Sequence, residues 1–135
     1  MKGIIIASHG KLASGMLDTI KMFSGEPEQM ESLCLLPGQE ISEYVTQMNQ
    51  AVERVNTGEG VVIFCDLLFG SPCNCSAQFL KDLELSKEVT IITGFNLPMI
   101  LEYVGSRDAN RDVDDIMKTG KSGIVDFKQL YESRK

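Results

Sequence analysis

The chain has 135 residues, of which 43% are hydrophobic and 24% charged, and this composition is typical of one soluble globular domain. Its formal net charge of −6 argues against nucleic-acid binding, because phosphate backbones are held mainly by Lys and Arg. No apolar run approaches the roughly 20 residues of a membrane span, and the N-terminus lacks the pattern of a signal peptide, so we expect a cytoplasmic protein.

The first half of the chain predicts two strands, each followed by a helix. Residues 3–8 contain three consecutive isoleucines, which is typical of a parallel strand buried on both faces. Residues 11–23 place apolar side chains at helical spacing, and residues 31–36 predict a second strand. The clearest helical stripe follows and consists of Ile41, Tyr44, Val45, Met48, Val52 and Val55.

The second half continues the alternation. Residues 61–65 predict a third strand that ends at Asp66. A helix over residues 73–83 follows, with Ser71 as its expected N-cap and Pro72 at its first position. The remaining predicted elements are a strand at 89–93, helices at 97–104 and 112–119, and a short last strand at 123–127.

Four strands separated by helices predict right-handed crossovers and an α/β fold. We therefore expect one domain over residues 1–135 with a doubly wound, mostly parallel four-stranded sheet and helices on both faces. The flavodoxin-like strand order 2-1-3-4 places a ligand site between strands one and three, outside their carboxyl ends. Strand one ends at Ser8-His9-Gly10 and strand three at Asp66, so this order makes the single histidine face a carboxylate.

This pair suits covalent catalysis by His9. Neutral imidazole is a good nucleophile near pH 7, and a carboxylate at Asp66 would fix the ring tautomer and stabilise the developing positive charge. The helix N-termini expected at Gly10-Lys11 and at Ser71-Pro72 offer N–H groups to a phosphoryl group, and the Ser71 hydroxyl offers another donor.

Structural explanations of the same residues remain open. A lone histidine is often structural, Asp66 is also a common turn residue, Ser71 is also a common N-cap and Gly70 also suits a turn. No GxSxG, P-loop or GxGxxG motif is present, although a hydrolase using Ser8, Ser14 or Ser71 is not excluded. The four cysteines lack zinc-site or CxxC spacing, so we expect buried or half-buried thiols and no metal.

Three segments together resemble the mannose-family enzyme IIA of the bacterial sugar phosphotransferase system. They are Ile4-Ile5-Ile6-Ala7-Ser8-His9-Gly10, Asp66-Leu67-Leu68-Phe69-Gly70-Ser71-Pro72 and Gly94-Phe95-Asn96-Leu97-Pro98-Met99. The resemblance covers nearly the whole chain in order and spacing, including Thr119-Gly120-Lys121-Ser122-Gly123.

The resemblance implies a specific route for phosphate. His9 would accept phosphate from the phosphohistidine of the carrier HPr and pass it to a IIB protein or domain, with membrane IIC and IID components importing the sugar. Asp66 would pair with His9, while Ser71, Gly10 and Gly70 would contact the phosphoryl group. No metal or organic cofactor is implied. A homodimer that exchanges the 123–127 strand is implied.

One position departs from the family pattern. The family turn often reads Gly-Gly-Ser-Pro, and here Phe69 stands at the first glycine. A bulky side chain there would cover the site or contact a partner. Two other functions remain as alternatives: the related phosphotransferase subunit of a dihydroxyacetone kinase, and a module in which phosphorylated His9 only reports sugar status.

Overall fold

A computed structural model describes residues 1–134 of the chain. The four strands are β1 (Gly3–His9), β2 (Met30–Leu35), β3 (Val61–Cys65) and β4 (Val89–Thr93). The helices are α1 (Leu12–Ser24), α2 (Ile41–Val55), α3 (Ser71–Ser76), α4 (Leu83–Ser86), α5 (Leu97–Gly105), α6 (Val113–Ser122) and α7 (Phe127–Ser133). Two 3₁₀ helices occupy Ala77–Lys81 and Arg107–Ala109. No helix within this part of the chain is long and apolar enough to cross a membrane.

The sheet has the predicted strand order. All neighbouring strands pair in parallel in the order β2-β1-β3-β4. The chain adds β2 on one side of β1 and then β3 and β4 on the other side, so the switch point of the sheet lies between β1 and β3. The register sets Ala7 of β1 opposite Cys65 of β3, which brings the following residues of both strands to one edge. The doubly wound α/β fold is therefore confirmed.

Strand β1 is the centre of the core. Ile5 and Ala7 face the cluster formed with α2 and α3, whereas Ile4 and Ile6 face the cluster formed with α1, α5 and α6. All four side chains are fully buried. Burying an isoleucine side chain contributes roughly 1.5–3 kcal/mol, so the apolar run that predicted this strand also anchors both layers of helices.

Helix α2 confirms the predicted stripe and shows how it meets the sheet. Tyr44, Met48, Val52 and Val55 are buried against the core, while Ile41 at the first turn is exposed. The Tyr44 hydroxyl donates a hydrogen bond of 2.8 Å to the carbonyl oxygen of Leu33 in β2. The buried phenol is therefore satisfied, as a polar group inside a core must be.

The predicted helix over residues 73–83 is wrong in its start and its continuity. Its first segment, α3, begins at Ser71 with Gly70 as the N-cap, one residue earlier than expected. A 3₁₀ helix follows α3, and a separate helix, α4, begins at Leu83. The Asp82 carboxylate caps α4 by accepting hydrogen bonds from the N–H groups of Glu84 and Leu85. The Asp82 cap is a local signal that favoured a second helix start.

The predicted strand at residues 123–127 is absent from the described chain. Gly123 is the C-cap of α6, and a new helix, α7, begins at Phe127. The Asp126 carboxylate caps this helix by accepting a hydrogen bond from the Gln129 N–H. Ile124, Val125 and Phe127 are each more than half exposed. Among residues 1–134, this apolar segment therefore pairs with no strand.

Candidate functional site

His9 is the last residue of β1, and a tight turn carries the chain from it into α1. Gly10 has φ +57°, a left-handed conformation that glycine adopts without steric cost. Its N–H donates a hydrogen bond of 2.8 Å to the Leu35 carbonyl oxygen at the end of β2. The turn is thereby tied to the neighbouring strand, and the Gly10 N–H is already occupied.

Ser8 fixes the other side of this turn. Its buried hydroxyl accepts a hydrogen bond of 2.7 Å from the Ala13 N–H and donates one of 3.2 Å to the Gly10 carbonyl oxygen. The first turn of α1 is thus capped from within the strand. Sequence reasoning considered Ser8 only as a possible nucleophile. A serine at the end of an apolar strand, just before a helix, was the signal that could have revealed this positioning role.

Asp66 and His9 meet across the switch point, as predicted. The Asp66 Oδ2 accepts hydrogen bonds from the His9 backbone N–H at 2.9 Å and from the His9 Nδ1 at 3.0 Å. The Asp66 side chain is 12% exposed and that of His9 is 45% exposed. The Asp66 Oδ1 is buried and has no hydrogen-bond partner among residues 1–134. Within the described residues, the Asp66 carboxylate therefore accepts hydrogen bonds from His9 alone.

This contact determines which ring nitrogen of His9 can react. A carboxylate only accepts hydrogen bonds, so the His9 Nδ1 carries the proton and Nε2 keeps its lone pair. The exposed ring presents that lone pair at the edge of the sheet. The negative charge at Asp66 also stabilises the positive ring that forms when Nε2 takes up a group. His9 thus has the geometry of a nucleophile.

Gly70 leaves the space that the His9 ring occupies. A Cβ atom added at Gly70 would lie 2.6 Å from the ring Cε1 and 3.3 Å from Nε2. The Gly70 φ of −73° is open to any residue, so glycine is required here by space and not by backbone conformation. The closeness of the His9 ring is therefore a physical reason for a glycine at position 70.

Ser71 lies next in the chain, at the first position of α3. Its side chain is half-buried, and its hydroxyl has no hydrogen-bond partner within the described residues. Contact of Ser71 with a phosphoryl group stays a prediction, and so does contact of Gly10. Lys11 is exposed and serves as the N-cap of α1 without a side-chain hydrogen bond.

The cysteines are buried or half-buried thiols, as expected. Cys65 lies at the end of β3, next to Asp66, and burial raises the pKa of its thiol to about 12. Burial also raises the pKa of Cys75. These two thiols stay protonated near neutral pH, so they do not compete with His9 as nucleophiles.

Residues 94–99, the third of the segments that resemble the family, have a structural role in this chain. The Asn96 side chain accepts a hydrogen bond from the Met99 N–H at 3.1 Å and donates one to the Gly120 carbonyl oxygen at 2.8 Å. A Cβ atom at Gly120 would lie 2.5 Å from the Met99 Cε. Asn96 therefore caps α5 and fixes it against α6.

Together, the parallel sheet and the exposed histidine held by a carboxylate at its switch point define an α/β protein with a candidate site at the carboxyl end of the sheet. Residues 3–120 match the family model described as "PTS system fructose IIA component". The chain belongs to this family, the mannose-type IIA components of the sugar phosphotransferase system, which are phosphotransferases. The dihydroxyacetone kinase alternative is not favoured.

Individual relatives agree with this assignment. The chain is 29% identical over 129 residues to the mannose-specific EIIAB component of Escherichia coli (strain K12), covering 93% of this chain but only 39% of that protein. It is 31% identical over 103 residues to the sorbose-specific EIIA component of Klebsiella pneumoniae, covering 76% and 73% of the two chains. The structure of a PTS IIA protein associated with the fucose utilization operon from Streptococcus pneumoniae superimposes with a TM-score of 0.87 at 32% identity, covering 96% of each chain.

Proposed function

We propose that His9 accepts a phosphoryl group at Nε2 from the phosphohistidine of HPr and passes it to a IIB protein or domain. The observation that carries this proposal is the bond between the His9 Nδ1 and the Asp66 Oδ2, which leaves Nε2 free on an exposed ring. The single domain formed by residues 1–135 would act in the cytoplasm, and membrane IIC and IID components would complete sugar uptake.

The transfer step follows from this geometry. The Nε2 lone pair of His9 attacks the donor's phosphorus, and the bond between that phosphorus and the donor's imidazole nitrogen breaks. The electron pair of the broken bond stays with the donor, which leaves as a neutral imidazole. His9 then bears the phosphoryl group on a positively charged ring, and the Asp66 carboxylate balances that charge. Transfer to IIB repeats these events with His9 as the leaving group.

The surroundings of Nε2 suit a negatively charged group. Ser71 lies directly after Gly70, whose missing Cβ gives the His9 ring its room. The half-buried Ser71 hydroxyl has no internal partner in the described structure and can donate to a phosphoryl oxygen. Helix α1 begins at Leu12, three residues after His9, and the positive end of its dipole favours an anion. Gly10 contributes through its left-handed turn, since its N–H is bound to Leu35.

Incubation with phosphoenolpyruvate, enzyme I and HPr tests the proposal. We expect a mass gain of one phosphoryl group that is labile in acid, stable in alkali and absent from His9→Ala. Addition of a cognate IIB should then remove the group from His9 and label IIB. A native protein that takes no label from phospho-HPr would contradict the proposal, and retention of the label in the presence of IIB would limit His9 to reporting sugar status.

We also propose a homodimer formed through the C-terminal segment, as the family resemblance implies. Ile124, Val125 and Phe127 are exposed apolar residues beyond α6, and within residues 1–134 the edge strand β4 pairs only with β3. Packing of the segment between α6 and α7 against β4 of a second copy would cover both these apolar side chains and the open edge of β4. Val125→Asp should convert a dimer to a monomer in sedimentation velocity, whereas Leu83→Asp, at another exposed apolar position, should not.

A further inference from the structure

Gly70 lies against the His9 ring, and its place is set by the two peptide groups that flank its Cα atom. The first joins Phe69 to Gly70, and the second joins Gly70 to Ser71. A Cβ atom at Gly70 would lie 2.6 Å from the ring Cε1, so even a small shift of this backbone changes the room that the ring has. Whatever holds these two peptide groups therefore also controls the position of the ring.

Asn74, in α3, binds both of these peptide groups. Its side-chain Nδ2 donates a hydrogen bond of 3.0 Å to the Phe69 carbonyl oxygen, and its backbone N–H donates one of 2.9 Å to the Gly70 carbonyl oxygen. The first peptide group is also held at its other end, because the Gly70 N–H donates a hydrogen bond of 3.0 Å to the Leu67 carbonyl oxygen. Any residue at position 74 can make the backbone bond, so only the side-chain bond requires asparagine.

The side-chain bond of Asn74 acts on a strained residue. Phe69 has φ +62°, a left-handed conformation that is unfavourable for a residue with a Cβ atom and that favours glycine or asparagine at this place in a turn. The Phe69 ring is 77% exposed, so packing of the ring contributes little to holding the backbone in this form. Without the bond from Asn74, rotation of Phe69 towards a negative φ would tilt the first peptide group and displace Gly70.

We propose that Asn74 is a positioning residue for phosphoryl transfer and acts on His9 through Gly70. This inference rests on the proposed phosphoryl transfer by His9. Asp66 holds the His9 ring at Nδ1, and Gly70 limits the ring on the side of Cε1. A ring confined from both sides presents Nε2 in one direction, and such alignment of a nucleophile raises the rate of the chemical step. Asn74 is exposed, so its side chain adds little to the core.

The test measures both the reaction of His9 and the motion of its ring. Phosphorylation is followed with phospho-HPr and with phosphoramidate, a small donor that needs no docking surface. NMR relaxation of the Cε1–H group reports the motion of the ring directly, because the chain has a single histidine. Asn74→Ala removes the side-chain donor and keeps the backbone bond, whereas Asn74→Asp keeps the shape of the side chain but has no N–H to donate.

Asn56→Ala is the matched control. The Asn56 Oδ1 accepts hydrogen bonds from the N–H groups of Gly58 and Gly60 at 2.9 and 3.1 Å, so this variant also loses an asparagine that holds a turn. The turn lies before β3, at the end of the sheet opposite His9. Circular dichroism and thermal unfolding check that all the variants are folded.

We expect Asn74→Ala to lower the maximum rate with phospho-HPr and the rate with phosphoramidate by the same factor, about tenfold, with a native KM for phospho-HPr and a more mobile His9 ring. Asn74→Asp should lose at least as much, and Asn56→Ala should keep the native rates and ring motion.

Two results would overturn the proposal: native rates or native ring motion in Asn74→Ala, and a loss confined to phospho-HPr or to its KM, which would make Asn74 a docking residue. A native protein that phospho-HPr does not label would instead refute the proposed function of His9. The NMR comparison of the unphosphorylated proteins would still decide whether Asn74 restrains the ring.

Discussion

A single oxygen of Asp66 binds both the backbone and the ring of His9. The Oδ2 accepts the His9 N–H at 2.9 Å and the Nδ1 at 3.0 Å, so one atom fixes the position of the residue and the tautomer of its ring. A typical serine-protease triad uses the carboxylate mainly on the ring. Here the backbone bond also holds the carboxylate against the end of β1, so the strand itself positions the acceptor of the ring proton.

Asp66→Asn should slow phosphorylation of His9 from phospho-HPr by roughly 10- to 100-fold while leaving the fold intact. The His9 N–H demands an acceptor at the position of Oδ2, so the amide oxygen should occupy it and still accept the Nδ1 proton. The tautomer is then preserved, and what is lost is the negative charge that stabilises the positive ring. Stopped-flow or quench-flow labelling measures the rate, and circular dichroism checks the fold. Native rates would mean that Asp66 only shapes the turn.

Gly70→Ala should reduce the rate of His9 phosphorylation by about 100-fold, because a shift of about 1 Å in a reacting group has this order of effect. The new Cβ would lie 2.6 Å from the ring Cε1, and the half-exposed ring can relieve the clash only by leaving its place. Gly15→Ala is a matched control in α1, where a Cβ meets nothing within 4 Å. It should raise stability by about 1 kcal/mol and leave the rate native. Equal rates for both variants would contradict the spatial role of Gly70.

Phe69→Gly should stabilise the protein by about 0.5–1 kcal/mol, because glycine removes the cost of a left-handed phenylalanine. Few contacts are lost, since the ring is largely exposed. Chemical denaturation with an unchanged m-value measures this gain. A loss of stability would show that the ring supports the fold.

The sequence predicted the strands and most of the helices from hydrophobic periodicity. The His9–Asp66 pair needed one more premise, the flavodoxin-like strand order, which the sheet has. The role of Ser8 depends on a bond to Ala13 across a turn, which no spacing in the sequence specifies.

The errors also have local causes. The predicted single helix over residues 73–83 was wrong because α3 ends at Ser76 and the Asp82 carboxylate caps a separate helix, α4. The apolar residues at 123–127 suggested a strand, but a strand needs a neighbour, and in the described chain Asp126 is the N-cap of α7 instead. Sequence patterns indicate which side chains favour burial, but they do not indicate which element packs over them.

Arg107 offers a test of whether the stability of the fold can be lowered without changing the reactivity of His9. Arg107 is 8% exposed, and its guanidinium donates hydrogen bonds to three carbonyl oxygens, those of Lys2, Glu28 and Gln29. These carbonyls precede β1 and β2, so Arg107 ties the 3₁₀ helix after α5 to the amino end of the sheet. This end is opposite the edge that presents His9.

Arg107→Met should therefore destabilise the fold by about 2–4 kcal/mol, because the carbonyls lose their donors inside a crowded site. For a domain of this size, that loss lowers Tm by roughly 10 °C. Below the new Tm, the rate of His9 phosphorylation should stay within about twofold of the native rate, since strand β1 still delivers His9 to Asp66. Differential scanning calorimetry and labelling at 15 °C below that Tm measure the two quantities. A rate that falls along with Tm would mean that the amino end of the sheet controls the geometry of His9, and that the site is not fixed locally by Ser8, Asp66 and Gly70.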